Sequence, residues 1–138
     1  MTLVPKPAMS EARKLELSFA WPPKEVFPNA RPHYQAKARA VKQYRWDCKM
    51  DARHQHRPQT LASPVKATVT FVVPDRRKRD TANMMDALKA MWDGIVDAKL
   101  LVDDSHEHLR HGEPSVRVEK GQRYVLVTLE EQLSARAR

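Results

Sequence analysis

A single cysteine, Cys48, leaves no partner for an intrachain disulfide and no thiolate cluster for zinc. Its place in a helical stretch suits a small buried residue better than a nucleophile. No apolar run approaches the roughly 18 residues that cross a bilayer. The opening segment MTLVPKPAMSEARK holds two prolines and no apolar core, which argues against a signal peptide. No membrane partner and a cytoplasmic location are therefore the expectation. Glycine is scarce, at 3 of 138 residues, and no glycine-rich phosphate loop exists. The common nucleoside-triphosphate motifs are excluded, and no nucleotide cofactor is expected. Neither repeats nor a linker divide the chain, whose length suits one domain.

What the chain has in surplus is positive charge: 25 Lys and Arg against 17 Asp and Glu, a formal +8. Polyanions are the natural partners, because each phosphate neutralised releases counterions. The surplus is concentrated, with nine basic and three acidic residues from Lys24 to Arg57. The hydrophobic fraction of 41% still allows a real core.

Leu15, Leu17 and Phe19 alternate with polar residues at the period of a half-buried strand, which Trp21-Pro22-Pro23 ends. Four prolines make residues 22–33 a loop or arm. A helix is expected from Tyr34 to His54, with Lys42, Arg45, Lys49 and Arg53 as a basic stripe. Val41, Tyr44, Cys48 and Ala52 form the adjoining apolar stripe. Like charges at helical spacing cost stability, which favours phosphate contact over a merely solvated face. After a loop from His54 to Pro64, Val65–Val73 reads as a strand.

A second helix is expected over Asp80–Lys99. It sets Met84, Leu88, Met91, Trp92, Ile95 and Val96 against a polar face of Asn83, Asp86, Lys89, Asp93 and Asp97. Gly94 should weaken it by about 1 kcal/mol relative to alanine. Strands at Ser115–Glu119 and Tyr124–Leu129 should pair as a hairpin through Lys120–Arg123. Residues 1–14 and 132–138 are expected to be flexible tails. The order β–α–β–α–β–β predicts an α/β (α+β) domain, a small mixed sheet packed with two main helices.

The chemistry concentrates in Pro74–Asp104. A basic turn (Arg76, Arg77, Lys78, Arg79) precedes Asp80, which opens the second helix, and Asp103-Asp104 follows that helix. Folding the helix onto the sheet would bring Asp80 and Asp103-Asp104 toward one end of the sheet. Carboxylates beside guanidinium groups suit Mg²⁺ meeting phosphate, since Mg²⁺ takes hard oxygen ligands and keeps several waters. Each element also has an ordinary use: Asp80 as a helix N-cap, the Asp pair as a turn, the basic tetrad as a solvated loop. His106 and His108 would suit Mn²⁺ or general-base work, or simply a solvated loop. Trp21, Trp46 and Trp92 read as core or interface residues, and Trp21 alternatively as a platform for an exposed base.

This arrangement resembles the RusA family of Holliday-junction resolvases. The carriers are Phe19-Ala20-Trp21-Pro22-Pro23, the segment Pro74–Asp80, then Asn83, Lys89, Asp93 and Asp103-Asp104. The resemblance spans about Leu15 to Leu129. It implies a bacterial or phage-encoded homodimer that binds four-way junctions in DNA recombination and repair and nicks two strands with Mg²⁺, or alternatively Mn²⁺. Carried over by position, the candidate catalytic residues are Asp80, Asp104 with Asp103 close by, and Lys89, and the metal ligands are Asp80, Asp104 and Asp103, with Asp93 added as a candidate replacement ligand. DNA contacts fall to Arg76, Arg77, Lys78, Arg79 and Asn83, with Lys42, Arg45, Lys49 and Arg53. Two departures stand out: Ala82 replaces a family carboxylate, and Lys89 lies three residues further along the helix than the family pattern. Asp86 or Asp93 could replace the lost ligand, with Asp97 further away. Two rivals follow, a branched-DNA-binding protein without activity and a nuclease of flaps or single strands.

Overall fold

The computed structural model describes residues 12–28, 30–31 and 33–132. In chain order the elements are β1 (Lys14–Ala20), α1 (Tyr34–Gln55), β2 (Val65–Val73), α2 (Thr81–Asp86), α3 (Lys89–Asp97), β3 (Leu109–His111), β4 (Ser115–Val118) and β5 (Tyr124–Glu131). A single 3₁₀ turn, Lys24–Val26, sits in the proline-rich segment before α1.

Alternation builds the sheet. Leu15, Leu17 and Phe19 of β1, Val65, Ala67, Val69, Phe71 and Val73 of β2, and Val125, Val127 and Leu129 of β5 are buried. They share one core with Tyr44, Cys48 and Ala52 of α1 and with Leu88, Met91 and Ile95 of the helical segment after β2. Each fully buried Leu, Ile or Phe contributes roughly 1.5–3 kcal/mol. The alternate residues Glu16, Ser18 and Lys66 are exposed, so the fold has two layers: a sheet and its helices.

β5 lies between β1 and β2 and is antiparallel to both, so Val127 faces Leu17 on one side and Val69 on the other. Along the far flank of β2, β3 pairs with Val65–Ala67 and β4 with Thr70–Val73, both parallel. The domain is thus α+β, with a five-stranded mixed sheet, as the sequence implies. The outer edge of β1 is partly closed by α1. Gln55 Oε1 accepts from Ser18 N–H at 2.8 Å, Gln55 Nε2 donates to Ser18 O at 2.8 Å, and His56 Nε2 lies 2.8 Å from Glu16 O. Among the described residues no helix is long and apolar enough to cross a membrane.

Four expectations need correction. The helix expected over Asp80–Lys99 is broken at Ala87-Leu88, where Leu88 N–H donates back to Met85 O in a tight 3₁₀ turn. Both residues are good helix formers. Their almost complete burial goes with the break. Second, β4 and β5 do not form a hairpin, because β2 lies between them. The Lys120–Arg123 turn, with Gly121 at φ 77°, carries the chain across the end of β2. Third, the loop after Asp104 contains β3, held by Leu109 pairing beside Val65. Fourth, Arg13, Lys14 and Gln132 are not tails. Arg13 pairs with Glu131, Lys14 opens β1, and Gln132 N–H donates to Pro64 O. The remainder of both expected tails lies outside the described residues.

Candidate functional site

The end of α3 decides where Asp104 goes. Lys99 adopts φ 69°, a left-handed conformation usually given to glycine. Lys99 N–H donates to Val96 O at 2.9 Å and Leu100 N–H to Ile95 O at 3.3 Å, the paired bonds of a Schellman turn. Thr60 Oγ1 donates to Lys99 O at 2.9 Å. The reversal buries Leu100 and Leu101 and brings Asp104 back within reach of Lys89, at the start of α3.

Lys89, Asp93 and Asp97 follow at four-residue steps and share one stripe of α3. Lys89 Nζ donates to Asp104 Oδ2 at 2.6 Å and to Asp93 Oδ1 at 3.1 Å. From α1, Arg45 grips Asp97 with two bonds, Nε to Oδ2 at 2.7 Å and Nη2 to Oδ1 at 2.9 Å. Arg45 Nη1 also lies 3.9 Å from Asp93 Oδ2. A chain of alternating charge results: Asp104, Lys89, Asp93, Arg45, Asp97. The hydrogen bond that Lys89 donates to Asp104 raises the Lys89 pKa, and the bond from Arg45 holds the Asp97 carboxyl below its ordinary value. With the Lys89 side chain 68% exposed, such pairs are worth about 0–1 kcal/mol each. Little is lost when one opens.

Asp80 does not join this chain. Its Oδ1 accepts from Asn83 N–H at 3.1 Å and caps α2, the ordinary use of an Asp there. Asp103 is exposed, and a hydrogen bond with the Ser105 hydroxyl keeps its carboxyl below the usual range. Asp86 is exposed on α2, as is Ala82. Among the described residues no group of three or more His, Cys, Asp and Glu could hold a metal ion. The chain therefore offers Asp93 and Asp104, two carboxylates bridged by one ammonium. Mg²⁺ binds through one or two carboxylates together with waters and substrate phosphates, so two carboxylates would hold it only in company with a phosphate.

The basic tetrad divides. Arg79 is folded inward, only 15% exposed, bonding Asp75 Oδ1 at 2.9 Å and the carbonyls of Asp75 and Arg77 at 3.0 and 2.9 Å. Arg77 lies 3.6 Å from Asp75. Arg76 and Lys78 are exposed, with no ion pair among the described residues. On α1, Lys42 and Arg53 are exposed and Lys49 is partly so, whereas Arg45 is committed to Asp97. His108 Nδ1 lies 2.8 Å from Ser63 Oγ, which gives that histidine a structural partner. Burial pushes the Cys48 thiol pKa up to about 12, so it stays protonated and inert.

Of the three tryptophans expected in a core or interface, two join the core and one does not. Trp92 is buried, with His111 edge-on at 5.0 Å. Trp21 packs on Phe27 and Phe71 with Arg123 over its ring at 5.4 Å. Trp46, expected in a core or interface, is 54% exposed. Its spacing held the signal: Arg39, Lys42, Trp46, Lys49 and Arg53 recur at three and four residues, so Trp46 rides the basic stripe. Arg39 extends that stripe toward the start of α1.

No family model matches the chain. A Xylella fastidiosa (strain Temecula1 / ATCC 700964) sequence described as an uncharacterized protein is 35% identical over 102 residues. The match covers 70% of this chain and 65% of that protein. Among solved structures, the HypE–HypF complex gives a TM-score of 0.34 at 16% identity, covering 89% of this chain and 33% of that one. A likeness of that degree carries no argument about fold or function.

Proposed function

We propose that the chain is a Mg²⁺-dependent, structure-selective endodeoxyribonuclease that cuts four-way DNA junctions as a homodimer, with Mn²⁺ as an alternative metal. The observation that supports this most directly is the exposed Lys89 ammonium shared by Asp104 at 2.6 Å and Asp93 at 3.1 Å. A single cation bridges two carboxylates there and leaves a net negative charge, in a network that is cheap to open. When bound, Mg²⁺ would polarise the phosphodiester and lower the pKa of a water.

The chain's own residues do the rest. Asp93 and Asp104 would hold the ion, and Lys89 would donate to a phosphate oxygen. Asp97 fixes the Arg45 guanidinium beside Asp93, so Arg45 is a positioning residue. Arg76 and Lys78 meet the DNA backbone as exposed cations, in a turn held by Arg79 and Asp75.

A second reading, branched-DNA binding without cleavage, draws support from a specific feature. Ala82 is exposed where the RusA resemblance implies a carboxylate, and Asp80 is spent on its cap. One experiment separates the readings: nicking of a four-way junction with and without Mg²⁺, beside linear duplex, flap and single-stranded DNA. Cleavage of the junction alone, lost in Asp104→Asn and Asp93→Asn with binding retained, is the expected result. Junction-selective binding with no cleavage in either metal would support the silent reading. Equal cutting of flaps or single strands would change the substrate.

A further inference from the structure

A groove of about 450 Å³ runs along α1 and ends at the Arg45–Asp97 pair. Arg39, Lys42, Trp46 and Lys49 line it. The Trp46 indole is 54% exposed, and the Lys49 ammonium sits 5.2 Å from its ring centre. Arg45 is neutralised by Asp97, while Arg39, Lys42 and Lys49 have no ion pair among the described residues. The groove is thus an aromatic surface bordered by three cations that make no ion pair among the described residues.

We propose that this groove takes one unpaired DNA base, stacked on Trp46, with Arg39, Lys42 and Lys49 on its flanking phosphates. The reading rests on the DNA-directed function proposed above and names a subsite for it. Every base has a π-face, and single-strand sites combine stacking aromatics with backbone-tracking cations. Long Lys and Arg stems supply apolar walls while their charged heads stay in water. A stacked base would displace the Lys49 ammonium from the ring toward a phosphate. Position also favours a nucleic acid: the groove adjoins Asp97, and through Arg45 it neighbours Asp93 and the Lys89–Asp104 pair. An unpaired nucleotide there would lie beside the carboxylates. A second copy docking by this same face would set three cations against three, which disfavours it.

The test measures binding of the full chain to a short oligothymidylate and to a blunt duplex of equal length, at low salt. Tryptophan emission and anisotropy provide the readouts. Binding of the oligothymidylate should quench the wild-type emission. Trp46→Ala should weaken oligothymidylate binding about tenfold or more while leaving duplex binding within about twofold. Trp46→Phe should restore most of the loss, and thermal melting checks that both variants are folded.

Should wild type bind DNA and Trp46→Ala bind both probes as before, the subsite is overturned and the DNA reading stands. Equal losses on both probes overturn it as well, since stacking would not be the cause. If wild type binds neither probe nor a junction, both proposals fall. A concentration-dependent dimer that Trp46→Ala dissolves, with DNA affinity unchanged, would assign the groove to a second copy instead.

Discussion

A Cβ placed on Gly94 of α3 would sit 2.6 Å from the backbone carbonyl oxygen of Arg45 in α1, with Cys48 Cβ and Lys49 N each at 3.0 Å. The two helices touch there backbone to backbone. The same contact sets Arg45 opposite Asp97, so the ion-pair chain depends on it. Gly94→Ala gains about 1 kcal/mol of helix propensity but overpacks against backbone that cannot rotate away, costing about 1–3 kcal/mol. The second effect should win. Urea denaturation is expected to show a lower midpoint, and the junction cleavage proposed above should fall before the fold is lost. An unchanged midpoint would mean that α3 slides freely over α1.

Glu131 should make the fold sensitive to acid. It is 3% exposed and accepts from Ala62 N–H at 2.6 Å and Arg13 N–H at 2.8 Å, with the Arg13 guanidinium at 2.9 Å. Burial pushes its carboxyl up, but the hydrogen bonds from Ala62 and Arg13 outweigh that and leave it below the ordinary range. A depressed folded pKa contributes stability above the unfolded value, near 4.3, and loses it as pH falls through the folded value. Glu131→Leu strands two N–H groups and should cost about 1–3 kcal/mol for each at neutral pH. For Glu131→Gln, the stability deficit measured in urea should shrink as pH is lowered toward 3. A deficit independent of pH would remove the ionised carboxylate from the explanation.

Asp80 can be assigned with two substitutions. Asparagine caps a helix about as well as aspartate, whereas alanine loses about 1 kcal/mol. Asp80→Asn should therefore melt like wild type, and Asp80→Ala should melt several degrees lower. If Asp80 only caps α2, Asp80→Asn keeps full junction cleavage. A large loss of cleavage in the stable Asn variant would instead make this carboxylate part of the metal site, as the RusA resemblance implies.

Much of the fold was legible because one period governs each element. The alternation in Leu15–Phe19 and Val65–Val73 gave β1 and β2, and the apolar stripe Tyr44, Cys48, Ala52 gave the core face of α1. The break at Ala87-Leu88 was not legible, since both residues favour helix and the turn goes with tertiary burial. Nor was the separation of β4 from β5, because a four-residue turn permits but does not require adjacent pairing. At the site, the sequence named Lys89 and Asp104 with Asp80 and Asp103, and Asp93 as a replacement ligand, and of these Lys89, Asp93 and Asp104 meet. It did not reveal that Asp80 turns to Asn83 or that Arg79 folds onto Asp75, since those choices depend on backbone geometry. Lys99 hid the Schellman turn by standing where glycine is usual.

The basic stripe of α1 should behave as two kinds of residue. Lys42, Lys49 and Arg53 have no ion pair among the described residues, while Arg45 holds Asp97 with two bonds. Free cations add phosphate contacts, and each contact contributes about −0.9 to the log–log slope of affinity against salt on duplex DNA. Lys49→Gln with Arg53→Gln should flatten the slope by about two contacts' worth and weaken linear and branched duplex alike. Arg45→Gln frees one carboxylate as it removes one cation, which leaves the slope nearly unchanged and makes the local field more negative. Its cost should fall on cleavage, through displacement of Asp93, and on stability by about 0–1 kcal/mol, since the pair is solvent-exposed. Salt titrations of binding for both variants, paired with single-turnover cleavage, measure both effects. Should Arg45→Gln flatten the slope as steeply as the double variant, Arg45 leaves Asp97 for phosphate when DNA arrives. Should the double variant keep the wild-type slope, α1 faces away from the DNA.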